Sequence, residues 1–250
     1  MMRAPRSQGV FLIMKNVRAI AASFLFCGVV LAVSGRAVAQ PKPGHLDEVL
    51  RQMDAASERF KSAQADFQWD LYERVVKETT TQKGIIYFMR DGALTQMGAK
   101  VFPPSAKVLE YKRGELSLFD PGANPLLLMA AGAKQAQFES FLTLGFGGSG
   151  RDMAKAWTIS DLGAEQMSDG EKMITTEKLD LVAKDPGVRN MFTHIVIWID
   201  PTRAISLKQQ FFMPSEDVRT SVYTNIRYNE KVDTRSFEIK TDKNTTKDRR

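Results

Sequence analysis

The spacing of apolar residues in this chain changes near residue 65, and that change constrains the fold more than any single motif. Before it, Leu46, Val49, Leu50, Met53, Ala56 and Phe60 recur at intervals of three and four, with Asp47, Glu48, Arg51, Asp54, Glu58 and Arg59 between them. That pattern predicts an amphipathic helix lying over a core. After it, Phe67, Trp69 and Leu71 alternate with Gln68, Asp70 and Tyr72. Extended runs follow at 85–90, 107–111 and 115–119, and Lys112-Arg113-Gly114 makes a tight turn between the last two. Further strand signals occupy 157–159, 171–182, 192–200, 206–213, 219–228 and 237–240, with turns at 161–163, 168–170, 185–187, 200–201 and 214–217. About ten or eleven antiparallel strands predict one large, strongly curved sheet, mainly β within the α+β class. Residues 125–133, rich in Leu, Met and Ala, interrupt the strand pattern together with 136–144 and 149–157. They read as helical pieces covering the mouth of the sheet.

The N-terminus reads as an export signal. From Met14, which is an alternative start, Lys15 and Arg18 precede an uncharged apolar run of 17 residues, 19–35, and then Arg36 and Ala37-Val38-Ala39. This is the charged, apolar and small-residue order of a cleavable secretory signal, with cleavage expected between Ala39 and Gln40. A run of that length is also at the short edge of a membrane anchor, which is the alternative. Phe26 before Cys27 is too bulky for a lipid-attachment site, so the mature chain is not expected to be a lipoprotein. The segment 1–39 carries five basic residues and no acid, leaving 30 basic against 29 acidic residues, so the basic pI belongs mostly to the signal. Nucleic acid is therefore not an expected partner; residues 241–250 read as a disordered charged tail. Cys27 is the sole cysteine, and a mature domain of about 211 residues must hold together by its core alone.

The order of these elements, with the strand from Phe67, Gly84-Ile85-Ile86-Tyr87-Phe88-Met89-Arg90, the Lys112-Arg113-Gly114 hairpin leading to Phe119-Asp120-Pro121, Ile199-Asp200-Pro201 and Phe237-Glu238-Ile239-Lys240, resembles the LolA-type periplasmic carriers of outer-membrane lipoproteins. The resemblance runs over residues 40–240. It implies an unclosed half-barrel covered by an N-terminal helix and a helical lid, whose apolar groove takes lipoprotein acyl chains from an inner-membrane releasing transporter and hands them to an outer-membrane acceptor. It also implies that Arg90, at the end of its strand, latches the lid. This chain continues with Asp91-Gly92 where the family has a proline, and a solvent-exposed turn arginine paired with Asp91 is the alternative.

Acyl chains offer no directional polar handle, so such a groove needs only a wide and adaptable apolar lining. Alternation places Phe67, Trp69, Leu71, Ile86, Phe88, Leu109, Leu116, Leu118, Ile195, Ile197 and Phe211 on the concave face, and Leu127, Met129, Phe138, Phe141 and Leu142 on the lid. Any one of them is equally well plain core.

Catalytic chemistry finds little support. Gly145-Phe146-Gly147-Gly148-Ser149-Gly150 satisfies a dinucleotide fingerprint but follows a helical stretch instead of a strand. A lid hinge, with Ser149 capping the next helix and Asp152 in its first turn, is the simpler reading. His45 and His194 have no cluster of ligands at metal spacing, and Asp200 before Pro201 reads as a turn former. The expectation is a monomeric periplasmic carrier with no cofactor, metal or catalytic residues. A single-domain lipid or lipoprotein sensor or general lipid binder comes second, an enzyme third.

Overall fold

The computed structural model describes residues 44–92, 94–130, 132 and 144–249. The segment 1–39 read as a signal and the expected lid residues Phe138, Phe141 and Leu142 lie outside the described residues. Helix α1 (His45–Arg59) buries Val49, Met53 and Ala56 on one stripe. Each side chain of valine or methionine size contributes about 1.5–3 kcal/mol when buried. Asp47 and Glu48 in the first turn and Arg59 in the last complement the helix dipole.

The strands are β1 (Ser62–Glu73), β2 (Glu78–Asp91), β3 (Leu94–Val101), β4 (Lys107–Lys112), β5 (Glu115–Phe119) and β6 (Pro125–Ala130), then β7 (Trp157–Ser168), β8 (Met173–Ala183), β9 (His194–Asp200), β10 (Ile205–Phe212), β11 (Val218–Tyr228) and β12 (Thr246–Arg249). They form one 12-stranded sheet in the order β12-β6-β5-β4-β3-β2-β1-β11-β10-β9-β8-β7. The pairing of β1 with β11 joins two antiparallel meanders that run outward in opposite directions. β12 and β7 are the two edges, so the curved sheet stays unclosed. Helices α2 (Gly150–Ala156) and α3 (Pro186–Met191) and a 3-10 turn (Thr234–Phe237) complete the described chain.

Two apolar clusters fill the face that carries α1, called the inner face below. Val49 and Met53 pack with Leu179, Leu181, Ile195, Ile197 and Ile199 of β8 and β9. Phe67, Ile86, Phe88, Met97, Tyr111 and Tyr223 gather around Phe146. A third cluster, Val108, Phe119 and Leu126 with Leu128 and Ile239, lies on the opposite face under the C-terminal segment. There Tyr87 meets Phe237 edge-on at 4.7 Å.

Several expectations change. Residues 125–130 are strand β6, not part of a helical lid, so Leu127 and Met129 are sheet residues. An apolar run is ambiguous between helix and strand, and this one is apolar throughout because Leu126 and Leu128 pack in the third cluster while Leu127 and Met129 continue the inner face. β3 broke the alternation with Gly98 and Ala99, because Tyr87 lies across Gly98. Residues 161–163 sit within β7, at an irregularity between Asp161 and Ala164, instead of ending a strand. At 185–187, Asp185 caps α3 through the Val188 amide with Pro186 in the first turn, a helix start in place of a simple turn. The end of the tail is strand β12, parallel to β6, and Phe237 closes a 3-10 turn instead of opening a strand. The hairpin at Arg113-Gly114 is as expected, with φ of 50° and 81° supplying the two left-handed positions of its turn.

The Phe67 ring lies flat across Gly84, where a Cβ would stand 2.1 Å from the Lys100 carbonyl oxygen and 2.6 Å from that ring. Gly84→Ala should therefore cost about 3 kcal/mol in urea unfolding. Gly122→Ala, in an exposed turn, should stay within about 0.5 kcal/mol.

Candidate functional site

The inner face divides into three regions. At the β7–β9 side, α1 covers it, and Ile195 and Ile197 are fully buried beneath the helix, with Phe211 half-buried at their margin. In the middle, residues 144–148 run across the sheet. Phe146 stacks on Phe88 with centroids 4.0 Å apart and meets Tyr223 edge-on at 4.8 Å. Phe67, Ile86 and Phe88 are buried around that plug. At the β4–β6 side, Leu109 pairs with Leu118 and Leu118 with Leu127, while Tyr111 pairs with Leu116 and Leu116 with Met129. Cross-strand partners share a face, so these form two adjacent apolar rows across three strands. Leu109, Leu116, Leu118, Leu127 and Met129 are all half-buried, as are Trp69 and Leu71 on β1.

Of the residues that alternation assigned to the groove, the fold thus brings Phe67, Ile86, Phe88, Ile195 and Ile197 into closed core. It leaves Trp69, Leu71, Leu109, Leu116 and Leu118 partly open, joined by Leu127 and Met129. Trp69 stacks on Phe67 at 4.0 Å. Sequence parity identified the face but carried no information on which stretch the chain would cover itself.

Arg90 shares the parity of Ile86 and Phe88, and its Nη2 donates to the Gly147 carbonyl at 2.9 Å, with the guanidinium 6.0 Å from the Phe60 ring centre. The Ser57 hydroxyl of α1 donates to the same carbonyl at 2.8 Å. Gly147 N donates to Ala204 O at 2.9 Å, and Ser206 N to Gly145 O at 2.7 Å. The glycine stretch is therefore bonded to α1, β2 and the β10 margin. Gly147 has φ of 76°, and a Cβ there would stand 2.3 Å from the Phe60 ring, so both backbone angle and space require glycine. Ser149 accepts from Asp152 N at 3.1 Å and caps α2.

Asp200 and His194, both singled out in the sequence, have structural partners. Asp200 accepts from Thr202 N at 2.9 Å and Arg203 Nε at 2.6 Å within the β9–β10 turn. His194 bonds Asp180 through Nδ1 at 2.6 Å and stacks on Phe212. A depression of about 380 Å³ opens among Asp66, Gln68, Lys83, Phe102, Val222 and Thr224. It lies on the outer face, away from the apolar rows.

One cluster was invisible in sequence because His45 lies 116 residues and more before its partners. His45, the first residue of α1, approaches Asp161 of β7 with Nδ1 to Oδ2 at 2.7 Å and Glu177 of β8 with Nε2 to Oε1 at 3.7 Å. The hydrogen bond to Asp161 raises the pKa of His45 above its ordinary value, and burial pushes the Glu177 carboxyl up. One imidazole and two carboxylates are a donor set able to hold a metal.

No family model and no curated protein sequence matches the chain. Solved structures do. An uncharacterised conserved protein from Thermus thermophilus superposes with a TM-score of 0.51 at 12% identity, over 82% of this chain and 98% of that one. MucB gives 0.51 at 10% identity, over 80% of this chain and 65% of its own. A LolA superfamily protein from Nitrosomonas europaea gives 0.37 at 12% identity, over 78% and 97%. At these identities the likeness is one of fold alone, the unclosed curved sheet shared with the Thermus protein and MucB.

Replacing Arg90 with Met removes one charged donor to Gly147 O and should cost about 1 kcal/mol locally. The Gly147 and Ser206 amides should then exchange about fivefold faster by hydrogen-exchange mass spectrometry. Unchanged exchange would mean that Ser57 alone holds the segment.

Proposed function

We propose that this protein binds the acyl chains of a lipid or lipoprotein along the half-buried strip of β4–β6 and carries them through the periplasm toward the outer membrane. The observation that carries the reading is the pair of rows Leu109–Leu118–Leu127 and Leu116–Met129, large apolar side chains side by side and incompletely covered, with the buried Tyr111 at the head of the second row. Burial of each methylene is worth about 0.8 kcal/mol, so about six methylenes on this strip give about 5 kcal/mol before the costs of association. That scale suits a reversible carrier. Met129 in the strip supplies an adaptable side chain for flexible chains. In this reading the molecule is a binding protein, not an enzyme, and acts as a monomer between an inner-membrane releasing transporter and an outer-membrane acceptor.

The test is native mass spectrometry of protein purified from the periplasm without detergent. Stoichiometric acylated lipoprotein supports the carrier, and phospholipid alone supports a general lipid binder or sensor. An empty protein that also refuses a fluorescent fatty acid overturns the proposal. Leu118→Glu should weaken that fatty acid at least tenfold, about 1.4 kcal/mol or more, with little change in melting temperature. Phe102→Glu, on the outer face and 42% exposed, should leave binding unchanged. Phe88 is unsuited to the test, because a charge beneath Phe146 would unfold the centre of the molecule.

A further inference from the structure

Glu177 is only 8% exposed, and its Oε2 is buried with no hydrogen-bond partner among the described residues. Buried carboxylates are normally paired with a cation or fully hydrogen-bonded. The charged groups that act on Glu177 are His45 and Asp161, and no lysine or arginine is among them. Asp161 is itself buried at its side chain, 8% exposed, and its Oδ1 accepts from Gly163 N at 2.8 Å, which fixes the carboxyl. Two buried carboxylates thus face one imidazole, and even a charged His45 leaves the cluster short of one positive charge.

We propose that His45, Asp161 and Glu177 form a binding site for a divalent cation of the zinc class. One ligand atom from each residue lies within 4.8 Å of the other two. Tetrahedral zinc with bonds of about 2.0 Å needs donors about 3.3 Å apart, so the three must close by about 1.5 Å at most. His45 and Glu177 can supply that by side-chain rotation, while Asp161 stays held by Gly163. An imidazole with two carboxylates suits zinc better than calcium or magnesium, which prefer larger all-oxygen shells. The His45 side chain is 31% exposed, giving the ion a path from solvent and room for a water as fourth ligand. Because the ligands come from the first turn of α1 and from β7 and β8, the ion would pin the start of the covering helix to the edge of the sheet. None of these residues lies in the apolar strip, so the site stands independently of the acyl-binding reading.

The chain has two histidines, which makes the test clean when the protein carries no histidine tag. Zinc chloride is titrated into chelator-treated protein by calorimetry and thermal shift, with magnesium and calcium chloride as comparisons. The expected result is one equivalent bound at micromolar concentration or tighter, a rise of several degrees in melting temperature, and no response to magnesium or calcium. His45→Gln and Glu177→Gln should abolish the response, and His194→Gln should keep it. Glu177→Gln keeps size and shape, so its fold should survive. No zinc response in the unmodified protein, or a response that persists in His45→Gln, overturns the proposal. So does a Glu177→Gln variant that is stabilised equally with and without zinc while the unmodified protein ignores the metal, since Glu177 is then simply a protonated buried acid.

Discussion

A twelve-stranded open sheet presents an inner face far wider than one helix can cover, and the rest of this structure follows from how that face is closed. Helix α1 takes the β7–β9 side through Val49 and Met53. The centre is closed by the chain itself, with Phe146 inserted between Phe88 and Tyr223 and the flanking glycines bonded to Ser57, Arg90 and Ala204. The β4–β6 side keeps its large side chains half-buried. Of the inner face, this is the side on which large apolar side chains stay partly exposed among the described residues.

The outer face is handled differently. In a half-barrel the outer side is normally polar, yet Tyr87, Val108, Phe119 and Leu126 are buried there. The C-terminal segment makes this possible by laying Phe237 on Tyr87 and Ile239 on the third cluster, and β12 then pairs with the edge strand β6. The pairing moves the open edge from the apolar β6 to the short, charged and exposed β12, which is less prone to chance pairing. Further along the outer face Trp198 sits between the ammonium groups of Lys178 and Lys208, at 4.9 and 4.3 Å, and donates to Glu165 at 2.8 Å.

Charge is distributed by the same logic. Where a buried acid serves the turn at Asp200, Arg203 lies beside it at 2.6 Å, and Asp169 is drawn to the same guanidinium at 3.7 Å. Glu177 has no such neighbour and depends on His45, a group that changes charge near neutrality. The contrast between the two clusters separates a pairing that completes the fold from one that leaves a charge to be met from outside.

The sequence by itself determined the periods and the turns. Helical spacing over 46–60, alternation at Phe67–Trp69–Leu71, the left-handed pair Arg113-Gly114 and the cap at Ser149 are local effects, governed by backbone sterics and by which face a side chain takes, and each is found as read. What the sequence could not give is coverage. β6 looked helical because it carries apolar side chains on both faces, β3 was hidden because Tyr87 needs a glycine beneath it, and the end of the tail became a strand because β6 offered an open edge. Likewise Phe88 and Leu118 have the same parity and chemistry, yet one is core and the other half open. That difference is set by where residues 144–148 cross the sheet, and His45 meets Asp161 and Glu177 only because α1 docks over β7 and β8. Local propensity depends on a few neighbouring residues, whereas burial and charge pairing depend on segments distant in the chain, and only the tertiary structure brings those together.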